Sequence, residues 1–569
     1  MNIESVLKEY DGLFGTTSLS CIEEYLYEKI IQALQEQDDA AILTLLNEMI
    51  GLCRDTSQKD KALAYCEQVQ KLLDKMGLQG TKEYATSMQN VANAYRAFGR
   101  WEEAQEAFCL IEATYEICLP KGDYLWASMF NNWGLLYQEK GEYEQAVSKI
   151  ENALAVIEKL PESHMEQAIT KTNLANSLFG LGTQQALEKG YQYLCSAIAV
   201  FVQDGERDFH YGAALVAMGD YYVYIQNNML AKAYYQKGIV EILMHTGKTE
   251  FYQRVVEKYD DIVCKLKKQT VWKKNISKSR EFYEAYGRQM IHEVCPGYES
   301  RIAVGMVGEG SDCFGYDDAI SSDHDYDIGF CMWLTQEDMD KIGDKLQKAY
   351  QELVEKHAKG ENVNARLGER RGVFCVDTFF VKQAQEYRLA QMVNGEIFRD
   401  ELGVVTKKRK ELLEYYPQPV WRRKLAGALH EFAQYGQANY ARMMARGDYL
   451  TAQLCVGKAM ETAMDIGYIL LQKYAPYYKW KRKGLEETGQ LRDALWICEE
   501  LAQVAVTKQA WEGVTYNAKQ LNTKDRRVVL LETLAGVLLE EMKTRGLVKG
   551  EDTFLEVYVE QILEGINVD

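Results

Sequence analysis

The chain is predicted to be mainly α-helical: a solenoid of helical pairs, then a small mixed α/β core, then a helical bundle. Three observations predict this. A motif recurs with a period near 40 residues over roughly the first 265 residues. Short β-branched and aromatic runs are confined to the stretch between about 300 and 380. Beyond Pro417 apolar residues return at helical spacing almost to the end. The expected division is 1–265, 270–415 and 416–569.

The repeats come first. Residues 88–108 read MQNVANAYRAFGRWEEAQEAF, and 130–149 and 172–187 carry the same pattern. A degenerate fourth copy starts at Ala217. Turn glycines recur at Gly99, Gly141 and Gly182, offsets of 42 and 41. Small residues follow at Ala104, Ala146 and Ala186. Fixed small residues at such a period signal a helical-pair array. Ile22 to Lys75 reads as a divergent first repeat with a cap. The pattern N-A-x-x-Y-x-x-x-G-x-x-x-x-A resembles tetratricopeptide repeats of the longer-period kind. That resemblance implies a concave groove for a protein or peptide partner. Tyr95, Asn131, Tyr137 and Asn173 fall on the first helices of pairs and are placed to line it.

The middle segment carries the chemistry. Residues 270–296 read as a helix leading into the sheet, with strands expected at 301–307 and 328–334 and a charged helix at 336–358. The first strand ends in a glycine-rich turn holding Gly310 and Ser311, whose N–H groups and hydroxyl suit a phosphate chain. Asp325-Tyr326-Asp327 then leads into the second strand. Strand residues two apart share a face, and paired carboxylates repel unless a cation such as Mg²⁺ joins them. A second register, Asp323-His324-Asp325, overlaps the first, so either pair is open as the metal pair. His324 is expected to hydrogen-bond its aspartate neighbours. Asp317 and Asp318 are expected as solvated residues or turn caps. Asp377 lies in the apolar run from Gly372 to Val381 and is expected in mid-strand.

This ordered set resembles the signature of the polymerase-beta-type nucleotidyltransferase superfamily. The resemblance implies transfer of NMP, most often AMP, from an NTP to a hydroxyl. It implies Mg²⁺ or Mn²⁺ held by Asp325, Asp327 and Asp377, with Asp323 in the alternative register. The metals would activate the nucleophile and stabilise the leaving pyrophosphate. A core followed by a helical bundle resembles the kanamycin and aminoglycoside nucleotidyltransferases over residues 270–490, where the bundle helps form the acceptor pocket. Candidates for the triphosphate are Arg366, Arg370, Arg371, Lys407, Lys408, Arg409, Lys458, Lys479 and Arg482, with Lys458 and Lys479 preferred. Glu431, Glu461 and Asp465 are helix-borne candidates for a general base.

Composition bounds the rest. The net charge of −18 argues against broad nucleic-acid binding, and so against a polymerase or terminal transferase. The 13 cysteines form no CxxC, and the start lacks a basic region followed by an apolar one. These features predict reduced thiols and a cytoplasmic protein, with no membrane span. The competing reading is a noncatalytic repeat scaffold with a degenerate nucleotide-binding half.

Overall fold

The computed structural model describes residues 1–13, 19–203, 208–269, 273–321, 328–357, 370–382, 384–518 and 520–564. The chain forms two compact units, Met1–Gln269 and Thr270–Asp569. The sheet and the helices beyond Pro417 share the second unit.

The first unit is an all-helical repeat array. A capping segment, α1 (Ile3–Leu13) and α2 (Leu19–Gln35), precedes five pairs. These are α3 (Asp39–Asp55) with α4 (Lys59–Met76), α5 (Lys82–Ala97) with α6 (Trp101–Cys118), and α7 (Tyr124–Glu139) with α8 (Tyr143–Ile157). Then come α9 (His164–Gly180) with α10 (Gln184–Gln203) and α11 (Phe209–Tyr224) with α12 (Asn228–Thr246), before a last helix, α13 (Glu250–Gln269). Gly99, Gly141 and Gly182 close the intra-pair turns with φ of 75°, 77° and 68°. After Gly99 and Gly141 the next residue donates its N–H back to the first helix, Arg100 to the Tyr95 carbonyl at 2.8 Å and Glu142 to the Tyr137 carbonyl at 2.9 Å. Where the glycine is missing the turn persists. Ser57 and Gln226 take φ of 59° and 60°, and Gln58 and Asn227 donate to Cys53 and Tyr222 at 2.8 Å. Ala62, Ala104, Ala146 and Ala231 are fully buried just beyond these turns. The divergent first repeat and the degenerate fourth copy therefore share one geometry. Gly134 shows why small residues recur: a Cβ there would sit 2.3 Å from Ile150 Cγ1 on the paired helix.

The second unit opens with α14 (Asn275–Phe282), a π turn (Tyr283–Gly287) and α15 (Arg288–Val294). β1 (Ala303–Met306), α16 (Ser311–Phe314), β2 (Cys331–Leu334), α17 (Gln336–His357), β3 (Gly372–Cys375) and α18 (Val376–Phe379) follow. Next are α19 (Glu386–Val393), β4 (Glu396–Arg399) and α20 (Val404–Leu413). The four strands form one sheet in the order β3-β2-β1-β4. β1 is antiparallel to β2 and β4, while β3 is parallel to β2. One sheet face packs Val304, Met332 and Leu334 against Tyr283, Ile291, Leu346 and Tyr350. The remaining helices are α21 (Gln418–Phe432), a π segment (Ala433–Asn439), α22 (Tyr440–Ala445), α23 (Tyr449–Leu470), α24 (Tyr478–Thr488), α25 (Arg492–Gln503), α26 (Arg526–Thr544) and α27 (Val559–Glu564). Among the described residues no helix is long and apolar enough to cross a membrane.

The sheet corrects three expectations. The strands are shorter than 301–307 and 328–334. β4 carried no strand signal beforehand. Asp377 does not stand in mid-strand: β3 stops at Cys375, and Asp377 lies on α18.

Candidate functional site

Register decides which segments meet. Gly305 pairs with Cys331 and Ala303 with Trp333, so the chain leaves β1 at the sheet end where it enters β2. The glycine-rich turn after Val307 therefore stands beside Ile328–Phe330. Gly308 and Gly310 adopt φ of 128° and 111°, which side chains on Cβ resist. A Cβ on Gly310 would lie 2.2 Å from Arg370 Nη2 and 2.5 Å from Asp312 Oδ1. Ser311 opens α16 and is buried. Asn394 braces the turn. Its Oδ1 accepts from Gly308 N–H at 3.0 Å and its Nδ2 donates to the Gly308 carbonyl at 2.8 Å.

Beneath the turn lies a buried charge cluster. Asp312 is fully buried and receives Arg370 Nη2 at 3.1 Å, Arg371 Nη2 at 2.9 Å and Asn275 Nδ2 at 2.9 Å. Arg370 also donates to the Glu309 carbonyl at 3.0 Å, fixing the turn from below. Arg370 and Arg371 were candidates for the triphosphate; their place beneath the turn corrects that. Asp317 was expected at the surface but is fully buried, accepting Asn275 N–H at 2.9 Å. Lys274 Nζ donates to the Asp317 carbonyl at 2.7 Å. Asp318 does cap a turn, accepting from Ile320 and Ser321.

Asp323, His324, Asp325, Asp327 and Arg366 lie outside the described residues. Asp377 is displaced from the sheet end where β2 begins. Cys375, at the close of β3, pairs with Leu334, at the far end of β2. The Asp377 side chain is 65% exposed and pairs with Lys408 at 3.1 Å. Among the described residues no three His, Cys, Asp or Glu side chains cluster at metal-ligating distance.

On the helical side the structure brings several candidates together around a residue the sequence did not single out, Lys481. Its ammonium lies 2.7 Å from Asp465 and 2.9 Å from Glu461. Lys458 reaches Glu461 at 3.5 Å and Glu431 at 3.8 Å. The result is an alternating ladder across α21, α23 and α24, from Glu431 through Lys458, Glu461 and Lys481 to Asp465. Two carboxylates share the Lys481 charge. Its hydrogen bond draws Glu461 below the usual carboxylate range. Burial pushes Asp465 above that range, although Lys481 opposes the shift. Burial is the largest single influence on Lys481 and lowers its pKa, but Asp465 and Glu461 together outweigh it and raise the pKa above its ordinary value. Lys479 is elsewhere: it lies over the Tyr477 and Trp480 rings at 5.3 and 5.5 Å. Arg482 is engaged by Glu486 and Glu499.

The ladder and the turn belong to one neighbourhood. Tyr316, just past α16, packs its ring 5.6 Å from Trp480 on α24. Gly484, one turn on, lies close enough that a Cβ would meet the hydroxyls of Tyr468 and Tyr316 at 2.2 and 2.9 Å. Tyr468 in turn donates to the Lys481 carbonyl at 2.8 Å.

Residues 382–481 match a family described as a domain of unknown function (DUF4037). The matched segment contains Asn394, Arg409 and every residue of the ladder. Residues 131–163 match the tetratricopeptide repeat family, so the first unit is a tetratricopeptide-like array. A comparison with curated proteins found no match. Among solved structures, BtubC (BKLC) from P. vanneervenii is 14% identical, with 43% of this chain and 93% of that chain covered and a TM-score of 0.32. A putative kinesin light chain from Podosopora anserina with nearly identical TPR-like repeats is 20% identical, with 39% and 96% covered and a TM-score of 0.27. NprR in complex with its cognate peptide NprX is 15% identical, with 52% and 82% covered and a TM-score of 0.36.

In the array, Asn173 donates to Asn131 at 3.1 Å across adjacent repeats, and Asn90 donates to Asn47 at 3.0 Å. Tyr95 is buried, bonded by Gln70 and covered by the Arg100 guanidinium, so it does not line a groove. Tyr137 is partly buried, stacks on Trp133 and packs against the core.

Proposed function

We propose that the second unit is a metal-dependent nucleotidyltransferase, moving NMP from an NTP, with ATP as the expected donor, to a hydroxyl, and that the array holds a protein or peptide partner. One observation carries the first part. The β1–β2 register sets the Gly308–Ser311 turn at the sheet end where β2 begins, and in the sequence Asp325 and Asp327 stand just before that strand. Phosphate-binding N–H groups and oxygen ligands for a cation at one sheet end are what nucleotidyl transfer requires. The all-carboxylate donor set of Asp325 with Asp323 or Asp327 suits Mg²⁺ or Mn²⁺. When bound, the cation would offset the charge of the phosphates and carboxylates. Asp377 has no part in this reading.

The acceptor lies on the ladder side, next to Tyr316 and Trp480. Asp465 is the general base that fits best, because burial raises its pKa. Lys481 positions it. The Asn47–Asn90 and Asn131–Asn173 contacts favour a polar inner face on the array, suited to a peptide backbone. Free cysteines throughout the chain agree with a cytoplasmic location.

Incubation with labelled NTPs, Mg²⁺ or Mn²⁺ and cell lysate tests the reading. A labelled protein or small molecule supports it. Absence of label with every NTP, alongside intact partner capture by the array, would leave a noncatalytic scaffold as the better account.

A further inference from the structure

A cavity of about 220 Å³ lies in the helical part of the second unit, and no residue of the ladder lines it. Its walls come from the π segment (Ala433–Asn439), from α26 and from the chain between α25 and α26. Trp511, Val514, Leu521, Val528 and Leu531 supply apolar surface. Val514 and Leu521 are 39% and 52% exposed, so the cavity meets solvent between apolar side chains. Glu532 on α26 is the one carboxylate among the described residues that line it. Gln437 Nε2 donates to both Glu532 oxygens, at 3.1 Å to Oε1 and 3.0 Å to Oε2, and Thr553 Oγ1 donates to Oε2 at 2.7 Å. The same Nε2 donates to the Thr553 carbonyl at 2.9 Å. An amide has only two N–H hydrogens, so one of them is shared between the two carboxylate oxygens. Two hydrogens, both from neutral groups, thus meet a charge with about four acceptor positions. Oε1 has the larger spare capacity, since Thr553 bonds only Oε2. Among the described residues no ammonium or guanidinium pairs with Glu532. Lys524 also lines the cavity but is exposed and does not reach it. Burial and the neighbouring charge of Asp552 raise the Glu532 pKa against the Thr553 and Gln437 bonds. A partly buried carboxylate without a cation is costly, and a cation brought into the cavity offsets that cost.

We propose that this cavity binds a small primary amine with an apolar body, its ammonium on Glu532 and its body against Trp511, Val514, Leu521 and Leu531. An ammonium brings three N–H donors and the charge that Glu532 lacks, and hydrogen bonds between charged partners are the strong ones. An apolar cavity with one placed polar group is the ordinary make-up of a small-ligand site. At about 220 Å³ it is smaller than the roughly 300–1,000 Å³ of sites for drug-sized ligands, so the amine is small. Gln437 is itself fixed, its Oε1 taking the Leu555 N–H at 3.0 Å. The carboxylate is therefore oriented before the ligand arrives, which reduces the ordering cost of binding. The net charge of −18 favours the approach of a cation. A hydroxyl in place of the ammonium would fit the same walls but leave the carboxylate charge unmet.

The test is calorimetric titration of the full chain with phenethylamine and with hexylamine, each beside the alcohol of the same shape. Wild type, Glu532→Gln and Val514→Trp are compared, each with its thermal melting recorded. Wild type is expected to bind at least one of the amines at a single site, about ten- to a hundredfold more tightly than its alcohol, the worth of one or two charge-assisted hydrogen bonds. Glu532→Gln keeps the volume and an acceptor for Thr553 but removes the charge. It is expected to bind the amine no better than the alcohol. Val514→Trp fills the solvent-facing part of the cavity and is expected to weaken amine binding several-fold while melting as wild type. If Glu532→Gln binds the amine as wild type does, the ammonium sits elsewhere on this acidic protein and the proposal fails. It fails equally if amine and alcohol bind alike, or if wild type binds neither amine. Should Glu532→Gln fail to fold, Val514→Trp decides: unchanged amine affinity overturns the proposal and a several-fold loss supports it.

Discussion

Asn394 bonds both backbone polar groups of Gly308, taking its N–H at 3.0 Å and giving to its carbonyl at 2.8 Å. It does so just past the last β1–β4 pair, Met306 with Glu396. The side chain replaces the missing strand partner, so the turn leaves the sheet without orphaned groups. Asn394→Ala should therefore cost about 1–3 kcal/mol in urea unfolding and lower NTP affinity together with stability. A variant that unfolds like wild type would show that water satisfies Gly308 equally well.

Asp312 bonds the side chains of both Arg370 and Arg371. Asp312→Asn removes a counter-charge that two buried guanidiniums share. A loss of about 3–5 kcal/mol is expected, as for breaking one side of a buried ion pair. Denaturant unfolding measures it, and a change under about 1 kcal/mol would mean that the guanidiniums relax to solvent.

The Asp465–Lys481 pair sets a pH dependence. Burial holds Asp465 above its ordinary value of 3.8. A carboxylate raised in the fold favours folding when protonated, and that contribution is lost as pH climbs through its folded value. Lys481→Met removes the opposing cation and raises Asp465 further. The stability gap to wild type should then widen as pH rises above 3.8, the ordinary value for this carboxyl. In the same variant the acid limb of the pH–rate profile should move to higher pH. Asp465→Asn should lose about 10²–10⁴-fold in turnover if Asp465 is the base. A gap that narrows with rising pH would reverse the assignment of charge in the ladder.

Metal dependence separates the aspartates. ATP binding should need Mg²⁺ and weaken strongly under EDTA. Asp325→Asn should abolish transfer, and comparison of Asp323→Asn with Asp327→Asn should identify the second metal ligand as the one that loses activity. Asp377→Asn should retain activity, since its side chain is 65% exposed and faces Lys408. It should also shift stability by less than about 1 kcal/mol. Loss of transfer in Asp377→Asn with retained folding would restore Asp377 to the site.

The two compact units predict modularity. Residues 1–269 expressed alone should give an all-helical circular dichroism spectrum and a cooperative melt, because repeats draw their stability from neighbours. An unfolded fragment would mean that the array depends on the second unit.

The helical array was legible in the chain because its contacts are local: a period near 42 places each turn glycine and packed alanine at a fixed spacing. What the spacing hid was the same turn at Ser57 and Gln226, where packing imposes φ near 60° on residues that do not favour it. The glycine-rich turn was legible too, since Gly308 and Gly310 take φ of 128° and 111°, which other residues resist. Its supports were not. Arg370 and Arg371 meet Asp312 from 58 and 59 positions away, and no local pattern encodes such a meeting. The apolar run around Asp377 reads as a longer strand than it forms. β3 ends at Cys375 because its partner β2 ends at Leu334, and a backbone without a partner strand must satisfy its hydrogen bonds within itself. The chain therefore turns helical, and Phe379 and Phe380 pack on Trp333 at 5.5 and 5.9 Å. Residue type and spacing thus determined which segments become helix, turn or strand. Long-range pairing alone decided where β3 stops, which charges are buried, and that Lys481 stands between Glu461 and Asp465.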